Sequence, residues 1–433
     1  MLGQKMYVVT DANLMQAVQR QPKVLNFLPI EAKAASRICA VSAESVNKLY
    51  GNPNEEDGET AILKEIQAAR RAALSPGPAF DELNQHLVQN LQDSLVSIRL
   101  SAGQPTRIGL STWLRRNVTA ASTKALYGLR NPFVDESVAN GIWQLNKNLT
   151  PLLVDIFTSI TASQGLAGRS VVTKAFEEYF RNGGHETASV AVKTRHDISV
   201  MHGIPEEDIA KLEVGEAIAT LTNTAPACFW ALFFIYSTAG LLEELRASLD
   251  SKFANCSDGA PRPDHKFDIG SIKEDRPLLV SIVSETLRYC SLGGSVRDVK
   301  EDTILDHRWL LKKGGIVQMP SRILHKDASA WGGTVDAFDP KRFLSDESKP
   351  RSTANFRPFG GGTTLCPGRH LATNTILAVA ALFVMHYDLL PVSGAWSMPS
   401  VNNTGISEFM MEPDQDIEVD VVARQSFEEN EAC

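Results

Sequence analysis

Apolar residues recur at helical spacing through most of the first half of the chain. The run "MYVVTDANLMQAVQRQ" reads as a short strand followed by a helix, with Asp11 placed as its N-cap. After the polar loop Asn52–Asp57, helical periodicity runs from Leu63 to about Leu100, interrupted at Ser75–Pro78. More helix is predicted over Trp113–Leu129, Leu152–Ile160, Val171–Phe180 and Asp208–Leu249. The Pro- and charge-rich string "CSDGAPRPDHK" (Cys256–Lys266) breaks the helical mass. A helix over Pro277–Tyr289 comes next, then strand-like runs near Val296, Thr303–Ile304 and Ile316–Met319. An irregular stretch covers Asp327–Thr364, and a last helix starts near Pro367. There is no repeat and no flexible linker, so the pattern predicts one mainly α domain with a small β portion spanning residues 1–433.

One stretch is ambiguous. Ala217–Leu242 carries no charge for 26 positions, enough for a membrane span. Its midspan polar cluster (Thr220, Thr222, Asn223, Thr224) and Pro226 favour the central buried helix of a large globular protein. The N-terminus has neither a signal-peptide core nor an anchor.

Charge and cysteine usage narrow the classes. With 51 acidic against 43 basic side chains, the net charge of −8 and the lack of a dense basic run exclude nucleic acid as a main ligand. The six cysteines (39, 228, 256, 290, 366 and 433) are scattered without a Cys-x-x-Cys pair, which points to a reducing compartment. Without a signal peptide, the Asn-x-Ser/Thr matches at Asn117, Asn148, Asn255 and Asn402 carry no weight.

The most unusual string is Phe356–Leu371, "FRPFGGGTTLCPGRHL". Three consecutive glycines admit close backbone approach, and Pro367 suits the first position of a helix. A cysteine placed there has its thiolate favoured by free amides and the helix dipole. No lysine stands where a phosphate loop needs one, and His370 is merely near for a nucleophile's base. A buried structural cysteine is the bland alternative. Glycines in this pattern favour a flat ligand lying against the loop.

These residues resemble the heme-ligand loop of the cytochrome P450 superfamily, Phe-x-x-Gly-x-x-x-Cys-x-Gly, as Phe359, Gly362, Cys366 and Gly368. Two further marks stand upstream in order: Glu285 and Arg288 as Glu-x-x-Arg, then Pro340, Arg342 and Phe343 in "FDPKRF". The resemblance implies the cytochrome P450 fold, heme as cofactor and Cys366 as the axial metal ligand. It also implies a buried knot of Glu285, Arg288 and Arg342, tolerable only if every charge is paired. Arg297, twelve residues after Glu285, is the expected propionate arginine, since a guanidinium binds carboxylate in bidentate fashion.

The chain departs from the family pattern in places. Thr364 stands where many members carry a basic residue for a propionate, with Arg369 as a partial replacement. The usual Trp-Arg pair is not recognisable near Ala69–Arg71. In the central helix, Thr222 takes the acid position and Asn223 the threonine position of the family's proton-delivering pair, and Pro226 frees the carbonyl of Thr222. Alternatively these polar residues cap their own helix. The "NTAPACFW" version looks like the branch holding sterol and bile-acid hydroxylases and prostacyclin synthase, in a filamentous-fungal form.

The expected function is therefore a heme-thiolate monooxygenase. It inserts one oxygen atom from O2 into a terpenoid, sterol-like or other lipophilic secondary metabolite, with electrons from an NADPH-dependent cytochrome P450 reductase. Asn223 and Thr222 are the catalytic candidates; Ala219 marks the substrate side. The basic residues Lys349, Arg351, Arg357 and Arg369 are candidates for the reductase-docking face. The rivals are a reductase-free peroxide isomerase or dehydratase, and a non-catalytic heme-binding remnant. The chain begins near the family's first strand, which implies either a missing membrane anchor, with the cytosolic face of the endoplasmic reticulum as location, or peripheral membrane contact from the cytoplasm.

Overall fold

The computed structural model of the chain describes residues 4–51, 60–99, 105–253, 269–344, 353–405 and 407–424. Helices dominate. Those that build the site are α1 (Ala61–Leu74), α2 (Leu110–Tyr127), α3 (Val190–Met201), α4 (Glu206–Leu221), α5 (Thr224–Ser237), α6 (Pro277–Cys290) and α7 (Arg369–His386). Their ends follow ordinary capping chemistry. Thr60 accepts from the Leu63 amide to start α1, and Pro277 opens α6 where its missing N–H costs nothing. At the first helix, Ala12–Gln19, Asp11 accepts from Asn13 and Leu14, as expected of it.

The uncharged stretch is a core element, but it is not one helix. Glu206–Ser237 is long and apolar enough to cross a membrane, yet most of it is buried inside the protein. Expected continuity over Asp208–Leu249 fails at two places: Thr222–Asn223, between α4 and α5, and Thr238–Gly240, before the helix Leu241–Phe253. Pro226 has no N–H for the Thr222 carbonyl, so the ladder opens one turn upstream of it. Throughout α5, the residues from Thr224 to Ile235 are all buried, and Trp230 Nε1 donates to the Met411 carbonyl at 2.9 Å. The expected helix Leu152–Ile160 is likewise broken, with Asp155 and Phe157 in left-handed conformation.

Three small sheets make the β portion. The largest comprises β1 (Met6–Val8), β2 (Leu25–Asn26), β3 (Gly294–Val299) and β4 (Ile316–Pro320), in spatial order β1-β4-β3-β2. Only the β1–β4 pair is parallel; β3 runs antiparallel to β4 with Arg297 opposite Val317. Alternation along β3 turns Arg297 and Val299 to the same, buried side. The hairpin Thr303–Leu305 with Trp309–Leu311 and the sheet joining Thr106–Gly109, Glu418–Ala423 and Tyr387–Pro391 complete it. The breaks Asn52–Asp57 and Cys256–Lys266 lie outside the described residues.

Candidate functional site

One large cavity, about 1000 Å³, lies between α4–α5 and the loop that leads into α7. Cys366 and Asn223 both line it. So do Phe359, Gly362, Thr364, Gly368, Arg369 and Arg297 from the cofactor side, and Ala219 and Thr222 from the central helix. The residues singled out from the sequence therefore meet in one place.

On the cysteine side, the loop is held by its own backbone. The Cys366 amide donates to the Phe359 carbonyl at 3.0 Å, and the amides of Gly368 and Arg369 point at the thiol. Arg369 Nη1 donates to the Cys366 carbonyl at 3.2 Å. The expectation of a thiolate prepared by the helix terminus needs correction. Burial pushes the Cys366 thiol up, outweighing the amides and the charges of Arg369 and Arg70 that pull it down. The polypeptide alone keeps a thiol there; a coordinated cation deprotonates it outright.

The glycines also have a reason within the loop itself. Gly360 and Gly362 occupy the left-handed region, at φ 74° and 63°. Gly361 is extended, and a methyl group there would collide with the Arg357 guanidinium. Thus the triplet serves the loop's own turns and its packing on Arg357.

Arg297 is the element that asks for a ligand. It is only 2% exposed, yet no carboxylate lies in ion-pair range among the described residues. Nη1 donates to the Val296 carbonyl at 2.7 Å and Nη2 to Thr364 Oγ1 at 2.8 Å. Burial, with the charge of nearby Arg357, lowers its pKa to about 10. A buried unmatched cation on a cavity wall fits the carboxylate of a bound group. Here the Thr364 departure finds its account: its hydroxyl aims Arg297 in place of a basic side chain.

Behind the loop, Glu285, Arg288 and Arg342 form the expected knot, all at 1% exposure or less. Arg288 donates from Nε and Nη2 to the two Glu285 oxygens, both at 2.7 Å, and Arg342 Nε reaches them at 3.0 and 3.1 Å. The excess positive charge is spread over the carbonyls of His325, Val335, Thr334 and Ala337. His325 joins this knot to the ligand loop. Its carbonyl accepts from Arg288, while its Nε2 accepts the Arg357 amide proton at 2.9 Å.

On the opposite wall, Thr222 Oγ1 donates to the Ile218 carbonyl at 2.9 Å, and Thr224 Oγ1 reaches the Thr220 carbonyl at 3.3 Å. The threonines thus cap their own helix. The Asn223 side chain makes no such bond among the described residues and sits at the helix break. Of the docking candidates, Arg357 is half-buried, with Nη2 donating to Gln19 Oε1. Lys349 and Arg351 lie outside the described residues.

Sequence reasoning missed a second charged cluster on this wall. Arg195 Nη2 contacts Glu213 Oε1 at 2.7 Å and its Nη1 lies 3.9 Å from Glu216 Oε2, while Arg70 Nη2 pairs with Glu216 Oε1. Tyr127 donates to Glu213 at 3.1 Å. Burial raises the Glu213 carboxyl's pKa, whereas Arg70 and Arg195 hold that of Glu216 low. The one available signal was Glu213 and Glu216 three apart in the otherwise uncharged run Leu212–Leu221, which places both on one face.

Comparison with known proteins agrees with this geometry. The cytochrome P450 family model matches residues 3–416. A cytochrome P450 monooxygenase of Hypoxylon pulicicidum, nodJ, is 32% identical over 435 residues, covering 98% of this chain and 82% of its own. Mouse cytochrome P450 7B1 is 26% identical over 90% of this chain and 76% of its own. The rat 25-hydroxycholesterol 7-alpha-hydroxylase is 24% identical over 86% of this chain and 90% of its own. With a cavity that presents a loop cysteine across from a broken central helix, the chain belongs to the cytochrome P450 family, whose members bind heme through a cysteine thiolate.

Proposed function

We propose that the chain, acting as one domain, is a monooxygenase that inserts one oxygen atom from O2 into a lipophilic substrate of terpenoid or sterol-like type. Electrons come from an NADPH-dependent reductase approaching the Cys366 side, with Arg357 and Arg369 in its footprint. The observation that carries this reading is the pairing, across one cavity, of Cys366 with Asn223 beside the unmatched Arg297. The relatives' names, monooxygenase and 7-alpha-hydroxylase among them, support the reaction class. A fungal relative supports a role in secondary metabolism. The proposed location is the cytosolic face of the endoplasmic reticulum if an anchor is missing from this chain, and otherwise the cytoplasm.

Bound heme supplies oxygen activation, with a thiolate ligand that favours O–O cleavage. Each named residue has a part. Cys366 Sγ would hold the heme iron, and the Gly368 and Arg369 amides aimed at the sulfur would disperse its charge. Arg297, aimed by Thr364, would meet a carboxylate of the bound group; Phe359, Gly362 and Gly368, which line the cavity, would border it. At the oxygen end, Asn223 brings two N–H donors and no titratable proton. Thr222, its hydrogen committed to Ile218, keeps lone pairs that accept. Protons therefore arrive through water held by these two groups.

The carbon-monoxide difference spectrum of the reduced protein tests this, wild type beside Cys366→Ala. A red-shifted thiolate-type Soret band that is lost in the variant is the expected result. A folded, heme-supplied wild type without the band sinks the reading.

A further inference from the structure

The cavity wall is mainly apolar, with Leu126, Ile209, Ile218, Ala227 and Leu287 among its residues. Against that background the Arg70–Glu216–Arg195–Glu213 cluster is conspicuous, because taking charges out of water costs several kcal/mol per ion (order of magnitude) and apolar replacements are often no less stable. Access is uneven within it. The side chains of Glu213 and Arg195 are 5% and 11% exposed, and those of Glu216 and Arg70 are 23% and 20%. All four residues border the cavity, but the inner pair is nearly covered and held by Tyr127, while the outer pair keeps surface to spare. Arg70 Nε is enclosed without an acceptor among the described residues, so Glu216 leaves the guanidinium incompletely satisfied, and the pair's accessible surface is what it offers to the cavity.

We propose that the Arg70–Glu216 pair is the polar pole of the substrate cavity and receives an alcohol group on an otherwise apolar ligand. The choice among polar groups follows from the two signs. A hydroxyl donates to the Glu216 carboxylate and accepts from the Arg70 guanidinium at once. A carboxylate meets the charge of Glu216, an ammonium meets Arg70, and a carbonyl uses only the arginine. Glu216 precedes Asn223 by seven residues, two helical turns, so the alcohol docks about 10 Å along the helix axis from the oxygen end. Polar recognition also discriminates well, since an analogue lacking the hydroxyl leaves buried partners unmatched.

This inference rests on the cavity's assignment to a lipophilic substrate. Its test uses heme-loaded full-length protein and matched probes: a sterol, a diterpene alcohol and a triterpene alcohol, each beside its deoxy hydrocarbon. Dissociation constants come from equilibrium dialysis and from the Soret shift. For at least one skeleton the alcohol binds tenfold or more tightly than the hydrocarbon. The double variant Arg70→Met/Glu216→Leu, which leaves Arg195 paired with Glu213, narrows the ratio to within twofold and keeps hydrocarbon affinity. If that variant does not fold, Glu216→Gln provides the readout and cuts the ratio severalfold.

The proposal is overturned by the absence of alcohol preference in every wild-type pair, including failure of every alcohol to bind. It is also overturned by a preference that survives in the folded variant. Loss of heme by the variant with alcohol preference intact assigns Arg70 to the cofactor instead and overturns it too. A wild type lacking the thiolate carbon-monoxide band fails the parent reading; a normal band without alcohol preference fails only this one.

Discussion

Two clusters of buried charge flank the cavity, and they are built on opposite plans. In the Glu285–Arg288–Arg342 knot one carboxylate serves two guanidiniums, their remaining donors end on backbone carbonyls and the Thr334 hydroxyl, and the three side chains are out of reach of water. In the Arg70–Glu216–Arg195–Glu213 cluster the charges balance two against two, but the enclosed Nε atoms of both arginines lack acceptors among the described residues and the outer pair borders open space. A closed knot fixes backbone segments relative to one another. An open cluster keeps interaction capacity in reserve. Saturation, more than burial, separates scaffold from recognition here.

Removing charge from each cluster tests that difference where the effect is largest. Glu285→Ala strands two buried cations, which costs about 3–5 kcal/mol. The charge-neutral Arg70→Met/Glu216→Leu exchange changes stability by only about 1 kcal/mol, since apolar replacements of a buried pair are commonly near neutral. Urea unfolding of the two variants measures both. Comparable losses would erase the distinction between a closed and an open cluster.

The two differ as well in how far they can be read from the sequence. The knot is legible because its members fall in two short strings, Glu285 with Arg288 and Pro340 with Arg342, whose helical spacing and turn chemistry are local. Cys366 is legible for the same reason, and Pro226 gave notice of the break at Asn223. The open cluster draws Arg70, Arg195 and the two glutamates from three helices, with Arg70 lying 146 residues before Glu216, so only tertiary packing brings them together. Short strands such as Tyr387–Pro391 and Glu418–Ala423 escaped for a related reason. Each is too brief to show its own period, and pairing alone defines it.

An intermediate effect is expected at His325, where the closed knot meets the ligand loop. Its Nε2 accepts the Arg357 amide, so the ring proton sits on Nδ1, which is buried without a partner. Burial and the charge of Arg288 lower its pKa from 6.5 to about 3. A ring neutral when folded and charged when unfolded stabilises fully above pH 6.5 and progressively less as pH falls toward 3. The slope approaches about 1.4 kcal/mol per pH unit within that window. His325→Gln, which keeps an acceptor but does not titrate, flattens the decline between pH 6.5 and 4. An unchanged slope in unfolding midpoints would show that the knot's link to the loop is not proton-sensitive.

The smallest expected effect lies on the cavity's other flank and sharpens the same contrast. Glu408 lines the cavity, and its Oε2 is enclosed without a partner. Burial first, and then the charge of Glu412, raise its pKa from 4.5 to about 7, against the Gly405 amide and the cations Lys147 and Arg115. The sign is opposite to that of His325. A carboxyl that keeps its proton more firmly when folded favours folding below pH 4.5, and the advantage is lost as pH rises through 7. Glu408→Gln stays neutral at every pH, so the variant equals wild type at pH 4 and is the more stable at pH 8. Since the group is only partly buried, solvent screening holds that gain to well under about 1 kcal/mol, read as a small rise in melting temperature. No rise at pH 8 would mean that Glu408 is already ionised at neutral pH. The open wall would then carry a further fixed charge, and the alcohol preference assigned to Arg70 and Glu216 would have a competitor on the same cavity.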